Sequence, residues 1–247
     1  RSWSRARGTP RYSPARCVGR QIPNFHGVID ARHHVPGCLR DERARPRRHQ
    51  LRREIAATVI TNRLVDAMGV TPNVVVNLQG DSPFTPPAHV VAVAEAAASS
   101  GADAATPYVR LTWQALDDFR AHKKTTPFSG TTLAHDAAGR ALWLSKNLIP
   151  AIRKEDALRQ QGDLPPACRH LRLYAYRLPA LRKYVSLPEG HYEKLEGLEQ
   201  LRFLENGMSV QCVEVESDTI AIPGIDAPED VALAERLIAT HGDPLKD

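Results

Sequence analysis

Val74-Val75-Val76-Asn77-Leu78 is a nearly unbroken apolar run closed by Gly80 and Pro83. Such a run reads as a fully buried parallel strand. It delivers Gln79 and Asp81 to its carboxyl end, where ligands bind in open α/β sheets. Around it the apolar period alternates between helix and strand. Residues 54–68 carry Ile55, Val59, Leu64 and Val65 at helical spacing, and residues 88–98 form an alanine-rich helix able to lie close on a sheet. Residues 102–109 read as a strand and 113–122 as a short helix. Residues 131–135 and Ala141–Ser145 alternate around Asp136-Ala137-Ala138-Gly139, a hairpin signal. Residues 155–167, with Gly162, Pro165 and Pro166, read as a loop. Residues 169–178 alternate, placing His170, Arg172, Tyr174 and Tyr176 on one face and Leu171, Leu173 and Ala175 on the other. A helix over 192–206 buries a stripe of Leu195, Leu198, Leu201 and Leu204 and stops at Gly207. A strand over 209–215 and a helix over 228–239, opened by Pro228 with Glu229 and Asp230 beside it, complete the pattern. Strands alternating with helices, plus one inserted hairpin, predict an α/β fold with a mainly parallel sheet and a mixed edge.

Composition divides the chain in two. Residues 1–53 hold fourteen Arg, no Lys and three acids, a net of +11, whereas the other 194 residues carry −6. The division predicts a basic Arg/Pro-rich segment over 1–53 and one α/β domain over 54–247. The front segment admits three readings: a basic nucleic-acid arm, an Arg- and Ser-rich targeting peptide over the first 29 residues, or a degenerate segment, translated out of frame or truncated. The last is preferred, because Arg with Pro and His but no Lys is what a GC-rich gene yields in a wrong frame. Nucleic-acid binding is disfavoured by the lack of interleaved aromatics. No apolar run approaches the length of a membrane span. Cys17, Cys38, Cys168 and Cys212 are scattered without metal-ligand spacing, so reduced thiols in a cytoplasmic protein are expected.

Four motifs in order then point to a family. Gln79-Gly80-Asp81-Ser82-Pro83, Arg169-His170 with Tyr174-Ala175-Tyr176-Arg177, Glu193-x-x-Glu196-x-x-Glu199-Gln200-Leu201-Arg202, and Gly224-Ile225-Asp226-Ala227-Pro228-Glu229-Asp230 together resemble the 3-deoxy-manno-octulosonate (Kdo) cytidylyltransferases over about residues 58–239. The resemblance implies a three-layer, Rossmann-like nucleotide-sugar transferase fold. It implies a reaction in which CTP and Kdo give CMP-Kdo and pyrophosphate for lipopolysaccharide biosynthesis, and a homodimer. It also implies Mg²⁺ on Asp81 and Asp226, the two candidate catalytic carboxylates; Mg²⁺ favours one or two carboxylates with phosphate and water. Gln79, His170, Tyr174, Glu199 and Gln200 are the implied sugar contacts. Glu193 and Glu196 read as solvated and are assigned no role.

The departures fall at the front. Lys146 in Ser145-Lys146-x-x-Ile149-Pro150 stands where the family has Arg, offering a point charge but not a bidentate fork. The family's N-terminal phosphate loop is matched only by Pro14-Ala15-Arg16, Arg20 and Pro23, without its lysine, so Arg16 and Arg20 are the candidates for the CTP phosphates. Val59-Ile60-Thr61-Asn62-Arg63 keeps Thr61 and Arg63 of the cytosine-side element but loses its Ser-Gly pair. Two alternatives stand beside this reading: a sialic-acid cytidylyltransferase, and a catalytically inactive homologue with a basic arm.

Overall fold

The computed structural model describes residues 28–29, 61–63, 65–79, 82, 85–162, 164–216 and 228–241. Among the described residues eight strands form one sheet: β1 Val28–Ile29, β2 Val74–Leu78, β3 Ala104–Arg110, β4 Thr132–His135, β5 Ala141–Ser145, β6 Cys168–His170, β7 Leu173–Arg177 and β8 Val210–Glu214. Its order is β1-β2-β7-β3-β6-β4-β5, with β8 paired to β3. The helices are α1 (61–63 and 65–67), α2 Pro87–Ser99, α3 Trp113–Thr125, α4 Glu155–Gln160, α5 Leu178–Ser186, α6 His191–Glu196, α7 Gln200–Glu205 and α8 Pro228–His241.

Two apolar layers sandwich the sheet. On one face α2 sets Val93, Ala94 and Ala97 against Val74, Val76, Ala105, Leu173 and Ala175, the close approach its alanines permit. On the other, Leu181 and Tyr184 of α5 and Phe203 of α7 cover Val75, Ala104, Tyr174 and Tyr176. The hairpin β4–β5 forms as its pattern predicts. Asp136 Oδ1 accepts from the N–H groups of Ala138 (2.9 Å) and Arg140 (2.8 Å), and Gly139 takes the positive φ of 77° that closes the turn.

The sheet is mixed, but antiparallel pairing is not confined to an edge as the pattern predicted: β6, β4 and β5 continue from β3 in antiparallel pairs, and a further antiparallel strand lies at the centre. β1 and β8 pair in parallel with β2 and β3, while β7 runs antiparallel between β2 and β3. Three further features differ from the sequence pattern. The strand expected over 169–178 is broken at Leu171-Arg172. Pro107 of β3 accepts there from Leu171 N at 3.1 Å. The missing N–H of Pro107 faces the same side and leaves the ladder one donor short. The register slips by two residues across the break. Because two is even, His170 and Tyr174 stay on one face.

The helix expected over 192–206 is two helices, divided at Gly197, whose φ is 66°. The break leaves Leu195 exposed, while Leu198 and Leu201 are buried. The segment expected as a loop over 155–167 begins with α4. Glu155 and Asp156 stand in its first turn, and Arg120 and Arg159 both bind the Glu155 carboxylate. Among the described residues, no helix is long and apolar enough to cross a membrane.

Candidate functional site

At the carboxyl end of β2 the buried face turns polar. Asn77 lies opposite Tyr174 in the β2–β7 ladder. It is buried, and neither atom of its side-chain amide has a partner among the described residues. Gln79 follows, also buried, and its Oε1 accepts from Arg172 Nη2 at 3.1 Å. Arg172 belongs to the two-residue break between β6 and β7, which aims its guanidinium across the strand ends.

His170, 5% exposed, closes β6. Its Nε2 lies 2.8 Å from Thr106 Oγ1, and that hydroxyl lies 2.9 Å from the carbonyl of Leu173. Thr106 has one proton. If it donates to the Leu173 carbonyl, Nε2–H donates to Oγ1 and the tautomer is set. Nδ1 is then a bare acceptor, and it has no partner among the described residues. Burial, reinforced by the charges of Lys146 and Arg172, pushes the imidazole down to about 3, so the ring is neutral. Neutral acceptors backed by fixed cations suit a ligand carrying both hydroxyls and an anion.

A run of aromatic rings joins this face to the helices above it. His170 and Tyr174 have centroids 5.4 Å apart, Tyr174 and Tyr176 6.1 Å, Tyr176 and Phe203 5.8 Å, and Phe203 and Tyr184 4.6 Å. Tyr184 Oη donates to the Glu199 carbonyl at 3.4 Å. Glu199 and Gln200 are buried. They lie between Leu198 and Leu201, which pack on Tyr108, and Tyr108 is the strand partner of His170. Lys146, half-buried, stands just past the end of β5.

The structure therefore gathers His170 with Tyr174, Glu199 with Gln200, and Lys146 within electrostatic reach of His170, while Gln79 reaches the same face through Arg172. Arg63 stands exposed on α1. Asp81, Asp226, Arg16 and Arg20 lie outside the described residues. Among the described residues no three His, Cys, Asp or Glu side chains come together as a metal site.

Two assignments change. Glu193 is not solvated: it is fully buried against Arg202. Glu196 is engaged too, accepting from Ser145 Oγ at 2.7 Å and Lys146 N at 2.8 Å. Thr106 and Asn77 also escaped the sequence reading. The signal available was a polar residue within each of two otherwise apolar strands, Ala104-Ala105-Thr106 and Val76-Asn77-Leu78. Cys168 and Cys212 are free, buried thiols, and burial pushes Cys212 up to about 12, so it is unreactive.

Comparison with known proteins agrees with this geometry. The profile of the cytidylyltransferase family matches residues 51–210. The chain is 36% identical over 187 residues to the 3-deoxy-manno-octulosonate cytidylyltransferase of Maricaulis maris, covering 74% of this chain and 70% of that protein. It is 38% identical over 170 residues to the protein of the same name from Xanthomonas oryzae pv. oryzae, covering 67% of this chain and 61% of the relative. The solved structure of CMP:2-keto-3-deoxy-manno-octonic acid synthetase complexed with CTP superposes with a TM-score of 0.58 at 27% identity, covering 73% of this chain and 68% of that one.

Proposed function

The chain belongs to the cytidylyltransferase family, and we propose that it transfers the cytidylyl group of CTP to Kdo, releasing pyrophosphate and forming CMP-Kdo for lipopolysaccharide assembly in the cytoplasm. The observation that carries this reading is His170, buried and neutral with a bare Nδ1, flanked by the cations of Lys146 and Arg172. Kdo offers what that arrangement lacks: hydroxyl donors for Nδ1 and a carboxylate for the cations.

In-line attack of the anomeric hydroxyl on the α-phosphorus needs position and charge compensation more than covalent help. Gln79 and Tyr174 would orient the sugar from the strand face, with Glu199 and Gln200 closing over it from α7. Arg16, Arg20 and Arg63 would counter the triphosphate and flank the nucleotide. Asp81, two residues beyond Gln79, and Asp226, two before α8, would hold Mg²⁺, which neutralises charge on the α-phosphate and leaving group when bound.

Pairing into a homodimer is part of the proposal. It is supported by Leu142 on the terminal strand β5 and by Tyr192 and Leu195 on α6, all exposed.

The test is pyrophosphate release from CTP with Mg²⁺ and either Kdo or N-acetylneuraminate, against controls lacking sugar or metal. Release that requires Kdo and metal is the expected result. Release with N-acetylneuraminate alone would transfer the reading to sialic-acid activation. Folded protein inactive with both sugars would identify a non-catalytic relative.

A further inference from the structure

Lys146 lies beyond the last rung of the hairpin, where Thr132 faces Ser145. Two opposite charges from distant elements hold its peptide. Glu196, the last residue of α6, accepts from Lys146 N at 2.8 Å through one carboxylate oxygen. Its other oxygen takes the Ser145 hydroxyl at 2.7 Å. The Ser145 oxygen in turn accepts from Asn147 N at 2.9 Å. On the opposite side, Lys123 of α3 donates from Nζ to the Lys146 carbonyl at 2.6 Å. The same ammonium reaches the carbonyls of Ser129 (2.7 Å), Pro127 (3.3 Å) and Gly130 (3.3 Å). Ionised partners make shorter and stronger hydrogen bonds than water or neutral groups would. Burial and the Lys146 charge both lower the proton affinity of Lys123, while Glu196 opposes them, so the three charged groups form one electrostatic unit.

We propose that Lys123 and Glu196 are positioning residues for sugar-acid binding. They hold the main chain of Lys146 from its two ends, so that its ammonium stands at the His170 face where the substrate carboxylate docks. This rests on the reading of Lys146 and His170 as sugar contacts. The bracket also ties the hairpin to α6 and, through Gly197, to the helix carrying Gln200, so the two halves of the sugar site are set against each other by one carboxylate.

The experiment compares Lys123→Met, Glu196→Gln and both combined with Lys146→Met, in the full chain. The KM for Kdo is expected to rise about tenfold in each bracket variant, with the KM for CTP changed less than about twofold. Lys123→Arg should recover much of the loss. On the Lys146→Met background the bracket substitutions should add less than about twofold, because they act through the residue already removed. Unchanged KM for Kdo, equal rises for both substrates, or full additivity with Lys146→Met would each overturn the proposal.

Amide hydrogen exchange gives a second readout that needs no turnover. Exchange at Lys146 should accelerate about tenfold or more in Glu196→Gln, with the β2 and β7 amides unaffected. Exchange that does not change would overturn the bracket even in an active enzyme. If the unsubstituted chain releases no pyrophosphate, the catalytic reading falls and exchange alone decides the bracket. Should either variant lose its thermal transition, Glu196→Asp, which keeps the charge but shortens its reach, and Lys123→Gln, which removes the charge but keeps a donor, replace them in the same comparison.

Discussion

At His170 burial and charge act in the same direction. The ring is enclosed, and Lys146 and Arg172 add positive potential, so the folded protein holds it neutral down to about 3 against 6.5 for an unperturbed imidazole. The unfolded chain therefore binds a proton that the folded one refuses. The stabilisation is fully present above pH 6.5 and is lost progressively as pH falls towards 3, at up to about 1.4 kcal/mol per pH unit. Urea unfolding at a series of pH values between these limits should show this slope, and His170→Gln, which keeps a donor for Thr106 without titrating, should flatten it. Identical slopes in the two proteins would mean that His170 is protonated in the fold and that Nδ1 is not an acceptor. Among single residues it is Thr106, a hydroxyl inside an apolar strand, that engages Nε2 and leaves Nδ1 without a partner among the described residues.

At the scale of elements, the decisive feature is the division of α6 from α7. Glu193 is 0% exposed and Arg202 4%. Arg202 binds Glu193 with both Nε (2.7 Å) and Nη2 (2.5 Å), and its guanidinium lies 4.5 Å from the Tyr184 ring centroid. Glu193 also accepts from Gly190 N at 2.8 Å at the start of α6. The pair thus spans the Gly197 break and sets the angle at which Glu199 and Gln200 are presented. Removing one partner strands a buried charge. Arg202→Met is expected to cost about 3–5 kcal/mol by chemical denaturation, and Glu193→Leu with Arg202→Met to recover a substantial part. A double variant no more stable than Arg202→Met would show that the loss comes from packing on Tyr184, not from the uncompensated carboxylate.

For the whole molecule, exposed apolar side chains on and near the last strand of the described order bear on assembly. Leu142 on β5 is 60% exposed and Leu195 on α6 66%, side chains that a second copy would cover. Sedimentation equilibrium is expected to show a dimer, and Leu142→Arg with Leu195→Arg to yield monomer with unchanged far-ultraviolet circular dichroism. A doubly substituted protein that still sediments as a dimer would place the contact elsewhere. The charge imbalance is the other feature at this scale: +11 over the first 53 residues against −6 over the rest. The family profile begins at residue 51, near that boundary.

Much of this architecture is written in local pattern. β2 occupies the apolar run Val74–Leu78, the hairpin closes on Asp136 and Gly139, and α8 starts at Pro228, because apolar period, turn chemistry and proline each act over a few residues. His170, Tyr174, Glu199 and Gln200 stood out as candidates through the family motifs that hold them, and all four are buried in the fold. Tertiary structure alone decided the rest. Pro107 broke the strand running from residue 169 only because that strand pairs beside it. Glu193 and Glu196 read as solvated because their partners, Arg202 and Ser145-Lys146, come from across the break and from another element. The aim of His170 depends on a hydroxyl 64 residues away. Local sequence specifies where an element forms, but the state of a buried polar group depends on which distant donor or acceptor meets it, and that is settled only when the sheet assembles.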